Sequence, residues 1–453
     1  MSLELEWDEG QIFGIANQTL TPDIAASLGG ALGTMLGEGA LVVTARDNYP
    51  PSRMLKRAFS AGLMSTGISV MDFHSATTPE LIFAIKRLGA KAGVQFTVAP
   101  LERDGIAIKI FDSQGLVFSI ERMEELADRA GSGKIVRSLP AAIGWVTYAE
   151  YVHDIYAAAV AGYLDSHTIA SKRYRMVCDV NFGPASEVLP NLLSELGIEG
   201  VMLNAHRPPF RGSVTHMSDP HSIEMLKGIV RASDAVLGVS FCADATRALV
   251  IDDEGKPLSS EEFASLIALG MPSGTRIIVS ESMGSMIDEV CKKVGARVIR
   301  VRGLKHDLIR VARRSGSHLV ATSGNEVIFT DFSLSPDGML ATLKLLEHLA
   351  KTDQSLSSAR DSLPKIQMIT RTVKLGGVNY LSALRAIYRS FRTATLTITG
   401  LRVRVDSIWV NVEASRDRVE LSCESVEGAD EIIDRFAEKV GSLIRELKGE
   451  SVR

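Results

Sequence analysis

The chain has 453 residues, of which 45% are hydrophobic and 23% charged, and its formal net charge is −4. One hydrophobic core rarely serves more than about 300 residues, so the length predicts several domains, and the charge argues against a basic surface for nonspecific nucleic-acid binding. No apolar run reaches membrane-spanning length, the acidic N-terminal residues are unlike a signal peptide, and the four cysteines lie far apart with no CxxC pair. We therefore expect a cytoplasmic multidomain protein that binds neither nucleic acid nor membrane and has no disulfide framework.

Three stretches of the chain repeat one pattern: a short β-branched run, a segment with apolar residues three and four apart, and a second β-branched run. They lie at 40–72, 175–203 and 275–301. This alternation of strand, helix and strand predicts parallel sheets whose faces are covered by helices. The predicted fold class is therefore α/β, with three similar domains that contain mixed, mainly parallel sheets.

The C-terminal part of the chain has a different pattern. Strands are predicted at 390–398, 401–405, 407–412 and 418–423, followed by a helix over 429–447. Strands that precede a packing helix predict a small α+β domain. The polar stretch 351–362, which is followed by Pro364, is predicted to be the linker that leads to it. The predicted domains are therefore 1–148, 149–252, 253–364 and 365–453.

Short motifs along nearly the whole chain are similar to those of the α-D-phosphohexomutases, the phosphoglucomutase/phosphomannomutase family. They lie at 14–17, 20–22, 46–52, 77–81, 208–211, 219–224, 237–241, 252–255, 323–324 and 336–339. The resemblance implies a four-domain architecture with a cleft where the domains converge. It also implies a phosphosugar as the ligand and Mg²⁺ as the family's cofactor.

The nucleophile of the family is altered in this chain. Family members carry the phosphoryl group on the serine of a TASHNP loop, and the matching segment here is 97–101, which places Ala99 at the serine. This ungapped register aligns Lys109 with the lysine of the family's NGIK motif. A second register aligns residues 104–105 with the Asn-Gly of that motif, and Lys109 then no longer matches the lysine. Phosphoryl transfer through an enzyme intermediate needs an oxygen nucleophile, which alanine lacks. The hydroxyl group of Thr97, two residues early, is the alternative.

The metal loop of the family is altered as well. Its DGDAD-R motif supplies three carboxylates to Mg²⁺, and the corresponding segment 242–247 keeps only Asp244, with Cys242 and Thr246 at the other two positions. Mg²⁺ prefers carboxylate and water oxygens. We therefore expect no tight Mg²⁺ site, with at most a weak, water-rich ion at Asp244. Arg247 remains the best candidate for a phosphate contact, because its guanidinium fork suits phosphate oxygens.

The loops that would contact the substrate have changed too. The sugar-recognition loop GExSGH of the family appears as 321–325 without its glutamate, and the phosphate loop RPSGTEP appears as 413–418, with Glu413 in place of the first arginine. The residues that the resemblance leaves for binding are Arg46, Arg247, Lys305, Ser323, Asn325, Ser415, Arg416 and Arg418. Two of them have a plain structural alternative: Arg46 as the partner of Asp47 in a local ion pair, and Lys305 as part of a solvated loop.

Two functions are compatible with these residues. The first is a non-enzymatic paralogue that keeps the mutase fold and binds a phosphosugar, or that pairs with an active mutase or with its own copy. The second is a working phosphohexomutase, which interconverts hexose 1- and 6-phosphates with displaced groups such as Thr97, Lys109 and Asp244. The changes at the nucleophile and the metal loop favour the first hypothesis.

Overall fold

The computed structural model describes residues 6–99, 105–149, 151–206, 220–397, 400–414 and 417–450. The first stretch contains β1 (Glu6–Asp8), β2 (Gln11–Ile15), α1 (Pro22–Leu36), β3 (Leu41–Arg46), α2 (Pro50–Met64), β4 (Ser69–Ser75), α3 (Thr78–Leu88), β5 (Ala92–Val98), β6 (Gly105–Asp112), α4 (Ile120–Ser132) and β7 (Val146–Tyr148). Within the described ranges its seven strands form the first sheet, in the order β1-β2-β6-β5-β3-β4-β7.

The second and third sheets have four strands each in the described part of the chain. The second stretch contains α5 (Val152–Tyr163), α6 (Ser166–Ser171), β8 (Arg175–Asp179), α7 (Ala185–Glu195), β9 (Glu199–Leu203), α8 (Pro220–Ala232), β10 (Leu237–Phe241) and β11 (Ala248–Asp252). The third contains α9 (Ser260–Leu269), β12 (Arg276–Ser280), α10 (Met286–Val294), β13 (Arg297–Val301), α11 (Lys305–Ser315), β14 (Leu319–Ala321), β15 (Val327–Phe329), α12 (Gly338–Thr352) and α13 (Leu356–Asp361).

One four-stranded arrangement recurs in the first three sheets. The strand orders are β6-β5-β3-β4, β11-β10-β8-β9 and β15-β14-β12-β13, and in each the first pair is antiparallel and the other two pairs are parallel. The first sheet adds β1 and β2 at one edge and β7 at the other. The predicted internal repeat of mixed α/β units is therefore confirmed. The sheets are mixed because each unit ends in a hairpin, which reverses the last strand.

Local sequence explains where the helices begin. Thr77 accepts a hydrogen bond from the main-chain N–H of Glu80, whose carboxylate accepts one from the main-chain N–H of Thr77, so this capping box fixes the start of α3. Ser259 and Glu262 repeat the arrangement at α9. Between the helices, the buried strands are almost continuously apolar, which is typical of parallel strands covered on both faces. One hydrophobic cluster extends from the second sheet into the third and includes Val239 and Val279.

The fourth unit contains β16 (Met368–Lys374), α14 (Tyr380–Ser390), β17 (Thr395–Leu396), β18 (Gly400–Val405), β19 (Ile408–Ala414), β20 (Arg418–Glu424) and α15 (Ala429–Glu450). Its sheet is antiparallel throughout, with the order β16-β20-β19-β18-β17 among the described residues. Both helices contribute to one hydrophobic cluster with the sheet, through side chains such as Leu384 and Phe436. The predicted C-terminal α+β unit is therefore confirmed.

One prediction about local structure is wrong. The predicted strand 390–398 is only a short strand at Thr395–Leu396, because Ser390 is the last residue of α14 and residues 391–394 form a turn, in which Ala394 donates its N–H to the oxygen of Phe391 at 2.9 Å. Ile398 lies outside the described residues.

The segment 351–362, which is predicted to be the linker, is largely helical. Its Leu356 is buried, and Arg360 forms an ion pair with Asp252, so this segment is fastened to the second unit. Its role as a linker and the predicted domain boundaries stay predictions.

No helix in the described ranges has the length and apolar character needed to cross a membrane.

Candidate functional site

A cavity of about 520 Å³ lies where loops from all four units meet. The first unit contributes Thr97, Ala99 and Lys109, the second contributes residues 242–244, 246 and 247, and the third and fourth contribute residues such as Ser323 and Trp409. Clefts between domains are a common position for ligand sites, because side chains from separate elements converge there. The cavity is therefore the candidate functional site of the chain.

An alanine stands where the resemblance places the nucleophile. Ala99 follows β5, lines the cavity and donates its main-chain N–H to the oxygen of Gly105 at 2.9 Å. The neighbouring Val98 donates its N–H to Asp47 Oδ2 at 2.7 Å, and the Oδ1 atom of Asp47 accepts the N–H of Tyr49 at 3.0 Å. Burial raises the pKa of Asp47 to about 6, against the lowering effect of these hydrogen bonds. The Asp47 carboxyl thus anchors the loop, and residues 100–104 lie outside the described residues.

The carboxylate of Asp244 is surrounded by donors. Lys109 Nζ lies 2.5 Å from Oδ2, which also accepts the hydroxyl of Thr78 at 2.8 Å. Oδ1 accepts the hydroxyl of Thr246 at 2.8 Å and the thiol of Cys242 at 3.2 Å. Burial alone would raise the pKa of Asp244, but Lys109 and these hydrogen bonds outweigh it and hold the pKa well below its usual range. Asp244 is therefore an ionised group with both oxygen atoms engaged.

Mg²⁺, the cofactor that the family implies, would have to bind at these same residues. Mg²⁺ needs several oxygen ligands in near-octahedral geometry. In the ranges that the structure describes, no group of three or more His, Cys, Asp or Glu side chains is placed to hold a metal ion, and the Asp244 oxygens already bind Lys109, Thr78, Thr246 and Cys242. The residues present do not fit Mg²⁺. The ammonium group of Lys109 is the cation at this carboxylate.

Strand alternation and helix capping explain how these groups meet. In β6 the side chains of Ile106, Ile108 and Ile110 belong to the hydrophobic cluster under α1 and α2, so Lys109, between them, points to the other face. Thr78, the first residue of α3, also donates its main-chain N–H to the main-chain oxygen of Asp244 at 3.1 Å. The contacts of Lys109 and Thr78 with Asp244 therefore fasten the first unit to the second.

The third unit supplies hydroxyl groups and an ion pair. The hydroxyls of Ser280, Ser282 and Ser323 form a chain with distances of 2.9 Å and 2.8 Å along the cavity wall. Lys305 Nζ lies 2.7 Å from Glu326 Oε1. Burial would raise the pKa of Glu326, but Lys305 and Arg247 lower it below its ordinary value. The sugar-recognition loop therefore has a carboxylate after all, two residues beyond Gly324.

Three predicted binding residues lie away from the cavity. Asn325 is buried, and its side-chain amide donates to the oxygen of Ala248 at 3.2 Å and its Oδ1 accepts the hydroxyl of Ser260, so it holds the loop rather than a ligand. Arg46 is buried and donates to the main-chain oxygen of Asp47 at 2.7 Å. Arg418 begins β20, an exposed position that does not line the cavity. Ser415 and Arg416 lie outside the described residues.

The sequence interpretation missed several residues that line the cavity. The fourth unit contributes Arg392, Arg404, Tyr388 and Trp409. Arg404 Nη1 lies 3.0 Å from Glu281 Oε1, and its guanidinium carbon lies 5.9 Å from the centroid of the Trp409 ring. Alternation along β18, where Arg402 and Arg404 interleave with Leu401 and Val403, was the signal that could have indicated a polar face.

The charge balance of the cavity is positive. Six basic side chains and four carboxylates line it in the described part of the chain. The ion pairs join Lys109 with Asp244, Lys305 with Glu326, and both Arg302 and Arg404 with Glu281. Arg247 and Arg392 are not within salt-bridge distance of a carboxylate among the described residues; Arg247 Nη1 lies 3.5 Å from the oxygen of Thr397. These two guanidinium groups are therefore placed to attract an anion.

Three repeated α/β units and an antiparallel fourth unit around one polar cavity define a protein of the phosphohexomutase type. Residues 8–135, 149–255 and 260–366 match the families described as phosphoglucomutase/phosphomannomutase, alpha/beta/alpha domains I, II and III. The chain is 31% identical over 416 residues to a Thermococcus kodakarensis protein named phosphoglucomutase/phosphomannomutase, covering 89% of this chain and 90% of that one. It therefore belongs to the phosphoglucomutase/phosphomannomutase family.

Other comparisons agree with this assignment. The chain is 29% identical over 451 residues to a probable phosphoglucosamine mutase of Methanopyrus kandleri, with 96% of this chain and 98% of that protein covered. Its fold is similar to that of a putative phosphomannomutase from Thermus thermophilus, with a TM-score of 0.77, 18% identity and coverage of 97% and 100%. A family structure from Burkholderia thailandensis gives a TM-score of 0.75 at 21% identity, with 96% of both chains covered.

Proposed function

We propose that this chain is a phosphohexomutase-fold protein of carbohydrate metabolism that binds a phosphosugar in its central cavity and forms no phosphoenzyme. The observation that carries the proposal is the contact between the Lys109 ammonium and the Asp244 carboxylate, at 2.5 Å, in the loop where the family holds its metal ion. Ala99, which the resemblance places at the nucleophile position and which lines the same cavity, supports it as well.

The proposed loss of phosphoryl transfer has two physical grounds. An enzyme-bound phosphoryl group needs an activated oxygen nucleophile, and the methyl group of Ala99 offers none. Phosphoryl transfer also relies on cations that neutralise charge developing on the phosphoryl oxygens. The charge of Lys109 is already balanced by Asp244, so it contributes little to that neutralisation.

The proposed phosphosugar binding rests on basic groups that form no salt bridge with a described carboxylate. Arg247 and Arg392 present guanidinium groups, which pair with phosphate oxygens in a bidentate manner. The hydroxyls of Ser282 and Ser323 and the carboxylate of Glu326 are suitable partners for sugar hydroxyl groups. The relatives named above carry the names of mutases that act on hexose phosphates, so a hexose phosphate is the ligand class we propose. Binding is expected to be independent of Mg²⁺.

The test combines calorimetric binding with a coupled mutase assay. Glucose, mannose and glucosamine 1- and 6-phosphates are titrated into the protein with and without Mg²⁺, and turnover is measured with Mg²⁺ and glucose 1,6-bisphosphate. The Thermococcus kodakarensis relative serves as the positive control for the assay conditions. We expect saturable binding without turnover. Turnover comparable to that of the relative would contradict the proposal, and so would the failure of every sugar phosphate to bind.

A working mutase that uses Thr97 is the second candidate. The observation that favours it is the position of the Thr97 side chain beside the Asp47 carboxyl, whose pKa of about 6 suits a general base. Thr97 is however only 2% exposed, so a sugar phosphate reaches its hydroxyl group only if the loop that follows β5 opens. Turnover that disappears in Thr97→Val, a replacement of nearly the same shape, would establish this candidate in place of the first.

A further inference from the structure

An unusually apolar segment runs along the outer edge of the first sheet. Half of the twelve exposed large hydrophobic side chains in the described structure lie within residues 136–151, with exposed fractions from 48% to 79%. They are Val136, Leu139, Ile143, Trp145, Tyr148 and Tyr151. Isolated exposed apolar residues are ordinary, but a concentration of them marks a surface that another molecule covers.

Main-chain hydrogen bonds hold this segment in place. The N–H groups of Val136, Ser138 and Gly144 donate to Thr34 Oγ1, the oxygen of Ser65 and the oxygen of Met64 at 3.0 to 3.1 Å. Gly144 lies so close to β4 that a Cβ atom there would stand 1.8 Å from the oxygen of Ile68. The side chains are therefore exposed because the backbone is fastened inward, and not because the segment is loose.

The strand within this segment leaves one side of its backbone open. β7 pairs only with β4 in the described structure, in parallel, through contacts such as Trp145 O with Val70 N at 2.7 Å and Ala149 N with Asp72 O at 3.1 Å. Because main-chain groups alternate along a strand, those of residues 145, 147 and 149 face β4, and those of Val146 and Tyr148 face outward. Open edges of this kind template the pairing of another strand.

We infer that this edge is the interface of a homodimer, in which β7 pairs with β7 of a second copy in antiparallel orientation. The two-fold axis passes beside Thr147, and Val146 of each copy exchanges two hydrogen bonds with the partner's Tyr148. Residues 138–149, which include β7, contain no charged side chain, and the two charged residues that flank them, Arg137 and Glu150, have opposite signs, so two copies pair along β7 without like-charge repulsion. A neutral, aromatic surface with a self-complementary edge fits its own copy best.

The size and position of the surface agree with this arrangement. A fully uncovered aromatic side chain presents on the order of 200 Å², so the six exposed side chains together offer several hundred Å², close to the ~800 Å² that each partner contributes to a standard interface. β7 lies at the opposite edge of the first sheet from β1 and β2, which adjoin the cavity. Dimerisation therefore leaves the cavity accessible, and the inference does not depend on the proposed function.

Light scattering coupled to size-exclusion chromatography on the full chain tests the inference. We expect a dimer at micromolar concentrations, and Trp145→Glu combined with Leu139→Glu is expected to raise its dissociation constant by at least about tenfold. Val426→Glu, at an exposed valine in another unit, is the matched control and leaves the dimer unchanged. Thermal unfolding of each variant verifies that it folds. A monomer at all concentrations, or a dimer that the double substitution does not weaken, would overturn the inference.

A cross-linking variant tests the strand pairing itself. In the proposed register, Thr147 lies opposite its own copy, so Thr147→Cys brings two thiols within disulfide range. Under mild oxidation this variant is expected to form a covalent dimer, whereas Val426→Cys forms none. The four native cysteines are buried and provide little background. A dimer that Thr147→Cys does not cross-link would overturn the proposed β7 pairing.

Discussion

Replacing Lys109 by methionine removes the ammonium group from Asp244 while it keeps the length and much of the volume of the side chain. The two charged groups are only 17% and 5% exposed, so water reaching them from the cavity replaces the lost partner only in part. Removing one member of a buried ion pair typically costs 3–5 kcal/mol, because the other charge is left buried. Asp244 keeps hydrogen bonds from Thr78, Thr246 and Cys242, so we expect a loss of about 2–4 kcal/mol in the free energy of unfolding.

Urea unfolding at several pH values measures this loss and its origin. In the wild type, the pKa of Asp244 lies below its ordinary value, so the pair stabilises the fold above the unfolded-state pKa of about 4 and this contribution is lost as the pH falls below it. In Lys109→Met, burial without the ammonium raises that pKa, so the folded variant takes up a proton before the unfolded chain does. The difference between the two proteins is therefore expected to shrink as the pH falls from about 7 to about 4.

The exposed pair of Lys256 and Glu254 supplies the matched control. These side chains are 60% and 51% exposed, and ion pairs on the surface contribute little to stability because water and salt screen them. Lys256→Met is therefore expected to change stability little at any pH. The reasoning is refuted if Lys109→Met costs no more than Lys256→Met, or if its cost does not depend on pH.

Three further substitutions test separate parts of the structure. As the pH rises from 4 to 7, the stability of Asp47→Asn relative to the wild type is expected to increase by about 2–3 kcal/mol, because only the wild-type carboxyl, with a folded pKa of about 6, must ionise while it is buried; chemical unfolding at both pH values measures this change, whatever Asn costs at both by losing one of the two acceptor oxygens. Arg247→Ala is expected to weaken glucose 1-phosphate binding about 10- to 100-fold in calorimetry, while Arg302→Ala, paired with Glu281, changes it little. Gly144→Ala is expected to destabilise by about 2 kcal/mol or more, since its Cβ would stand 1.8 Å from the oxygen of Ile68, whereas Gly162→Ala, with no atom within 4 Å of the added Cβ, is neutral or stabilising in urea unfolding.

The repeated fold could be predicted from sequence because its signals are local. A β-branched run such as 40–44 followed by helical spacing predicts β3 and α2 within a few residues, and Thr77 with Glu80 predicts the start of α3. The fourth unit was harder. β16 alternates between exposed and half-buried positions and has no apolar run, and the threonine-rich segment after α14 predicts a longer strand than the short β17.

The cavity was less accessible to sequence reasoning, because its contacts join distant parts of the chain. Lys109 and Asp244 are 135 positions apart, and their contact depends on the face of β6 and on how the first unit packs on the second. The sequence indicated that Asp244 is the one carboxylate that remains in the metal loop, but not that a lysine binds to it. It also could not separate Ser323, which lines the cavity, from Asn325, which turns away from it.

The central claim is that this member of the family forms no phosphoenzyme. Intact-protein mass spectrometry tests it most directly, after incubation with glucose 1,6-bisphosphate and Mg²⁺ and with the Thermococcus kodakarensis relative as the positive control. We predict an unchanged mass for this chain under conditions in which the relative gains a phosphoryl group, because Ala99 has no oxygen to accept one. A stoichiometric gain of one phosphoryl group, located on Thr97 or any other cavity residue, would contradict the account.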